Sequence, residues 1–166
     1  MKIRLFKQED AIEVAQLVAE TLKVSNSKDY SSEYINDNII SHSAEALIER
    51  AKEGHMYVVC DKARIVGCGA IAGYWGSTTE SILLTIFVLP AYQGKGIGSQ
   101  IIHTLEQDEF FLRAKRIEIP ASITASAPAT AASAFSSILT TAAMCSTAPP
   151  AMRCSPGCPG MKRLPL

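Results

Sequence analysis

The clearest chemical signal in the chain is Gln93-Gly94-Lys95-Gly96-Ile97-Gly98, followed by Ser99. An apolar run, Ile82-Leu83-Leu84-Thr85-Ile86-Phe87-Val88, ends at Pro90 just before it, and Ile101, Ile102 and Leu105 give the residues after it a helical apolar face. A glycine turn between a strand and a helix lets successive backbone N–H groups point outward together, and the helix dipole adds positive potential. Such a turn binds phosphate. The spacing excludes two familiar versions of it. A dinucleotide-binding G-x-G-x-x-G would need glycine where Ser99 stands, and a Walker loop would need Ser or Thr after Lys95, where Gly96 stands.

The surrounding elements must hold that turn. Met1 to Leu5 alternates as a strand, and a helix opening at Gln8-Glu9-Asp10 carries Ile12, Val14, Leu17, Val18 and Leu22. Two further helices are expected, one entered at Ser31-Ser32 and one at Ser43, the latter ending at Gly54. The period then becomes two: strands over Met56 to Cys60, Ile65 to Tyr74 and Ser81 to Val88, joined by a turn at Asp61-Lys62-Ala63 and a loop around Gly76-Ser77, form an antiparallel meander. The nearly all-apolar last strand is expected at the heart of the sheet. A helix from the glycine turn to about Arg113 and a strand from Arg116 to Ile119 complete a βαβ unit. The predicted fold class is α/β, with a mixed, mostly antiparallel sheet and helices on both faces.

With Val88-Leu89-Pro90 ahead of it and Ile101-Ile102 behind, the turn resembles the Q/R-x-x-G-x-G/A acyl-CoA loop of the GNAT N-acetyltransferase superfamily, and the order of elements resembles that family from Met1 to about Ile123. The resemblance implies acetyl-CoA as co-substrate, with no metal. The amides of Gly94, Lys95, Gly96, Ile97, Gly98 and Ser99, with Gln93 at the entrance, would hold the pyrophosphate. The main chain of Phe87 and Val88 would pair with the pantetheine arm, entering where the sheet splits. It also implies transfer to a primary amine, on a small molecule or a peptide, by direct attack, which requires a polarised carbonyl, a base and an acid. Glu80 is the candidate base through water, although a surface carboxylate at a strand entrance is the commoner explanation. Tyr74 and Trp75 could line an amine pocket or simply pack. Tyr92 reads as a surface or packing residue, Lys95 as solvated beside the phosphates, and His42, His55 and His103 as surface or capping residues without ligand spacing. Cys60 and Cys68 read as small apolar packing groups. A nucleotide-binding protein of another fold is disfavoured by the loop spacing.

Composition sets the outer bounds. The 166 residues suffice for one domain, and 16 basic against 16 acidic side chains give no pull toward nucleic acid or an anionic membrane. No apolar run is long enough for a membrane span, the N-terminus lacks a signal-peptide pattern, and five scattered cysteines suit a reducing compartment, so a cytoplasmic location is expected. Residues 1–125 hold all 16 acidic side chains, whereas residues 126–166 hold none and contain six of the eight prolines. Two domains of sequence are therefore distinguished: a GNAT-like domain over 1–125 and an atypical Ala/Ser/Pro-rich segment over 126–166. That segment reads either as a low-complexity tail or, more sharply, as the product of a frameshift, because the family's F-Y-x-K-x-G-[FY] pattern and its tyrosine acid should follow Ala125 and do not. Ala131 to Met144 could form a helix, and Cys154 and Cys158 give only a weak zinc spacing. The alternative function is thus an acyl-CoA-binding protein without turnover. Strand edges left open would favour a homodimer.

Overall fold

The computed structural model describes residues 1–74 and 77–120. Trp75, the 126–166 segment, its 131–144 helix and the Cys154/Cys158 pair lie outside the described residues. The elements run β1 (Lys2–Leu5), α1 (Ala11–Ser25), α2 (Ser32–Ser41), α3 (Ala44–Glu53), β2 (Gly54–Asp61), β3 (Arg64–Gly73), β4 (Glu80–Val88), α4 (Ile97–Glu106), α5 (Glu109–Leu112) and β5 (Arg116–Glu118). The five strands lie side by side in chain order, antiparallel except for the parallel β4–β5 pair. The meander and the βαβ unit are therefore both present, and the sheet is mixed and mostly antiparallel as expected.

Local chemistry sets the element boundaries. Ser31 and Ser43 accept from the N–H groups of Tyr34 and Ala46 and so cap α2 and α3. Helix α1 begins later than its pattern suggests, because Gln8–Asp10 form a 3-10 turn that frees the Asp10 side chain. The long helix expected to reach Arg113 is two. Asp108 interrupts it, capping α5 through Oδ1 to the Phe110 N–H while its Oδ2 accepts from the Tyr57 hydroxyl at 2.7 Å and bonds His55 Nδ1 at 2.8 Å. A carboxylate 4% exposed and satisfied on both oxygens holds the α4–α5 break against β2.

Strand β3, not β4, is the heart of the sheet. It is flanked by β2 and β4, and its residues Ile65 to Ala72 are buried without interruption. It admits α4 closely because Gly67 and Gly69 have no side chain: a Cβ on Gly69 would stand 2.3 Å from Ile101 Cγ2. With α4 over those glycines and α1 and α3 against the intervening residues, helices cover both faces, and Val18, Leu47, Val58, Ile71, Ile101 and Leu105 meet in the core. The C-terminal half of β4 is only partly covered, which its apolar composition hides.

β1 is fastened to the start of α1 by a bidentate ion pair, Arg4 Nη1 to Asp10 Oδ2 at 2.7 Å and Nη2 to Oδ1 at 2.9 Å, with the Lys7 N–H also donating to Oδ2. The Arg4 hydrogen bonds hold the mostly buried Asp10 carboxyl below the usual carboxylate range. Asp10→Asn keeps the shape and removes the charge, so it should cost about 2–3 kcal/mol in urea unfolding at neutral pH. A lowered folded pKa contributes stability above the unfolded value of about 3.9 and loses it as pH falls through the folded one. The gap between wild type and variant should therefore close in acid.

Candidate active site

The parallel partner of β4 is short. β5 pairs only with Glu80, Ser81 and Ile82, so among the described residues nothing pairs with Leu83–Val88 on that side. An unpaired strand edge offers backbone donors and acceptors in a row, ready for an extended ligand. The edge leads through Leu89 and a 3-10 turn at Pro90–Tyr92 into the glycine loop.

The loop is shaped for an anion. Gly94 and Gly96 have φ of +74° and +77°, a conformation that costs other residues energy, and Gly96 is the N-cap of α4 with no side chain capping it. Among the described residues, the N–H groups of Ile97, Gly98 and Ser99 meet no backbone or side-chain acceptor; the first bond back is Gln100 N–H to Gly96 O. A Cβ built on Gly98 would meet nothing within 4 Å, and its φ is not in the left-handed region. Neither crowding nor backbone conformation requires glycine there, whereas a ligand seated on the amides would. Gln93 faces the other way: its Nε2 donates to Val88 O at 3.1 Å and Ser25 Oγ at 3.3 Å, tying the loop to β4 and α1. Lys95 lies over the Tyr92 ring, 4.7 Å from its centroid, and Tyr92 donates to Asp61.

Between its two ends β4 carries a bulge. The β3–β4 register shifts between Cys68 and Ala70, setting Thr85 and Ile86 opposite a single residue, and Thr85 has φ of +53°. A β-branched residue in that region is strained and persists only where neighbours fix it. Here Arg50 Nη1 donates to Thr85 Oγ1 at 2.7 Å, and Cys68 Sγ to Thr85 O at 3.3 Å. Burial pushes the Cys68 thiol up to about 12, so it is protonated and no nucleophile.

His42 stands beside this bulge. It is the C-cap residue of α2 and packs edge-on against the Phe87 ring, centroids 5.5 Å apart. Its Nδ1 is 2.8 Å from Asn38 O, an atom that can only accept, so Nδ1 carries the proton and Nε2 keeps a lone pair. Burial, aided by the nearby Arg50 charge, lowers its pKa, so the ring is neutral at neutral pH. Sequence spacing could not single out this histidine, because its partner Phe87 lies 45 residues away.

The expected site residues divide accordingly. Phe87, Val88, Gln93, Gly94, Lys95, Gly96, Ile97, Gly98 and Ser99 form one continuous stretch from the open edge to the start of α4. Glu80 stands apart: it is five residues before the bulge, roughly 16 Å along the strand, and bonds Arg116 Nη1 at 3.4 Å. Tyr74 lies beyond β3, its N–H bonded to Glu80 O. His55 is bound to Asp108, and His103 lies on the exposed side of α4 near Glu106 and Gln107. Among the described residues no three metal-ligating side chains cluster, and no helix is long and apolar enough to cross a membrane.

Three solved structures share this architecture. They are a GCN5-related N-acetyltransferase from Rhodopseudomonas palustris (19% identity, 82% of this chain and 78% of that one, TM-score 0.63), a GNAT family acetyltransferase from Brucella melitensis in complex with acetyl-CoA (23%, 74% and 76%, 0.56), and the PaiA N-acetyltransferase from Thermoplasma acidophilum in complex with coenzyme A (21%, 64% and 70%, 0.56). At such identities the likeness establishes the fold. No curated protein matches the chain. Residues 52–135, half of the chain, match the acetyltransferase (GNAT) domain family, and that span takes in the open β4 edge, the bulge and the glycine loop. With the match and the architecture in agreement, the chain belongs to the GNAT acetyltransferases.

Proposed function

We propose that the protein transfers the acetyl group of acetyl-CoA to a primary amine by direct attack, in the groove between the open edge of β4 and the α2–α3 wall. The observation that carries this reading is the continuity of the Leu83–Val88 edge, on which no described strand pairs opposite β3, with the uncapped amides of residues 97–99. One end suits an extended pantetheine arm and the other a pyrophosphate, and the two are joined by one turn of chain. Similar solved structures in complex with acetyl-CoA and with coenzyme A support the choice of donor.

In this reading a main-chain N–H near the bulge polarises the thioester carbonyl, and His42 Nε2, in place of Glu80, takes the proton from the attacking amine. The amine nitrogen bonds to the carbonyl carbon, and the tetrahedral adduct then expels the CoA thiolate. The imidazolium formed on His42 returns its proton to that thiolate or to solvent. No covalent enzyme intermediate is needed, consistent with the protonated state of Cys68. We place the catalytic unit in residues 1–125 and, on the odd number of scattered cysteines, the protein in a reducing compartment, the cytoplasm. The runner-up, acyl-CoA binding without turnover, follows from the absence of tyrosine in residues 126–166.

The test is a thermal-shift titration with acetyl-CoA, CoA, ATP and NAD, followed by thiol release from acetyl-CoA in the presence of amines. A ligand at about 100 times its Kd should raise stability by about 2.7 kcal/mol. A shift with both CoA species and thiol release with amines is expected. A shift without release leaves the binding protein, and no shift with either CoA species rules out both readings.

A further inference from the structure

Arg50 is a half-buried cation without a carboxylate. Its Nη1 bonds Thr85 Oγ1 and its Nη2 reaches Ser41 O only at 3.5 Å, so most of the five guanidinium N–H groups remain unused by these partners. Glu53, one turn along α3, contributes attraction but no ion pair, and no described acidic side chain comes within 4 Å. Residues 75, 76 and 121–166 contain no Asp or Glu, so no acidic side chain elsewhere in the sequence can supply the missing partner. Burial without a counter-charge is costly, and here it is sustained beside Thr85, a strained residue at the β4 bulge.

Resting on the acetyl-transfer reading, we infer that the Arg50 guanidinium receives a carboxylate carried by the acceptor amine, so that the substrate class is amino-acid-like and not a simple amine or polyamine. The acyl donor's phosphates do not compete for this role: the free amides of residues 97–99 lie twelve to fourteen residues beyond Thr85, at the start of α4 and past the end of β4. A planar fork can hold a carboxylate through two parallel bonds, which fixes the acceptor's orientation as well as its position. The neighbouring His42, with its lone pair on Nε2, would then meet the amine of the same molecule.

The experiment compares acceptors that differ only in the carboxylate: lysine against cadaverine, and phenylalanine against phenethylamine. For wild type, the ratio of kcat/KM should favour the acid by about ten- to a hundredfold. Arg50→Met should bring the ratio near one, and Arg50→Lys, which keeps the charge without the fork, should give an intermediate value. A second arm needs no turnover: with CoA present, the N-acetylated acids should raise the melting temperature of wild type more than the N-acetylated amines, and this difference should vanish in Arg50→Met. The acetyl-CoA shift of both variants reports that they are folded. A wild type indifferent to the carboxylate in both arms, a ratio that survives Arg50→Met, or loss of the acetyl-CoA shift in both variants would overturn the inference alone. Absence of any acetyl-CoA shift in wild type would instead defeat the acetyl-transfer reading, and this inference with it.

Discussion

Replacing Gly98 by valine should weaken acetyl-CoA binding at least about a hundredfold while leaving the fold intact. The two halves of that expectation come from one observation: a Cβ at this position meets nothing of the protein, and its backbone is not left-handed. Valine at a helix start where the Cβ meets only open space costs at most about 0.5 kcal/mol. The same side chain, however, occupies the space above the N–H groups of Ile97, Gly98 and Ser99, where the pyrophosphate would sit. Charge-assisted hydrogen bonds contribute about 1.5–3 kcal/mol each, so losing two costs about 3–6 kcal/mol, or two to four orders of magnitude in Kd. Calorimetric titration gives the affinity and urea unfolding without ligand gives the stability. Gly96→Ala is the instructive contrast, since at φ +77° it should lose both affinity and about 1–2 kcal/mol of stability. An unchanged Kd for Gly98→Val would remove the loop from the binding site.

His42→Gln should lower kcat/KM about a hundredfold near neutral pH, within the range attributed to general-base catalysis. Glutamine preserves much of the polarity at the α2 C-cap but cannot take up a proton. The pH profile separates a base from a packing residue. Because burial and Arg50 lower the His42 pKa, its neutral, proton-accepting form prevails above an ionisation that lies below the ordinary imidazole range. Wild-type activity should rise with pH through that ionisation and level off before neutrality, and the variant should lack this limb. A rise at higher pH from the acceptor's own ammonium should remain in both. If the variant kept the acid limb, His42 would be excluded as the base.

What could be read from the sequence was what depends on near neighbours. Ser31 and Ser43 announce their helices because a cap acts three residues away, and the glycine loop stands out because the hydrophobic period changes from two to 3.6 across it. What could not be read depends on pairings across the fold. The α4–α5 break is fixed by Tyr57 and His55, about 50 residues before Asp108. The central place of β3 follows from the strand order, and the openness of β4 from β5 covering only three residues of its neighbour, neither of which a local pattern encodes. The groove wall was hidden for the same reason: Arg50 meets Thr85 across 35 residues, and the strain at Thr85 gives no sign in its residue type. An apolar strand was legible; which half of it would stay uncovered was not.

The strand order also bears on the route by which the chain reaches this structure. Connections of two and six residues join β2, β3 and β4, whereas β1 must return to β2 across 48 residues and β5 reaches β4 only after α4 and α5. Short closures carry little entropy cost, so the three-stranded meander is the natural nucleus, with the Arg4–Asp10 fastening and the α4 packing added late. The proposed co-substrate surface needs the β4 edge, the loop and the docked start of α4 together, and in that order of assembly it is complete only after the rate-limiting step. Acetyl-CoA should therefore act almost entirely on the unfolding limb of a chevron plot, prolonging the lifetime of the native protein and leaving its refolding rate unchanged.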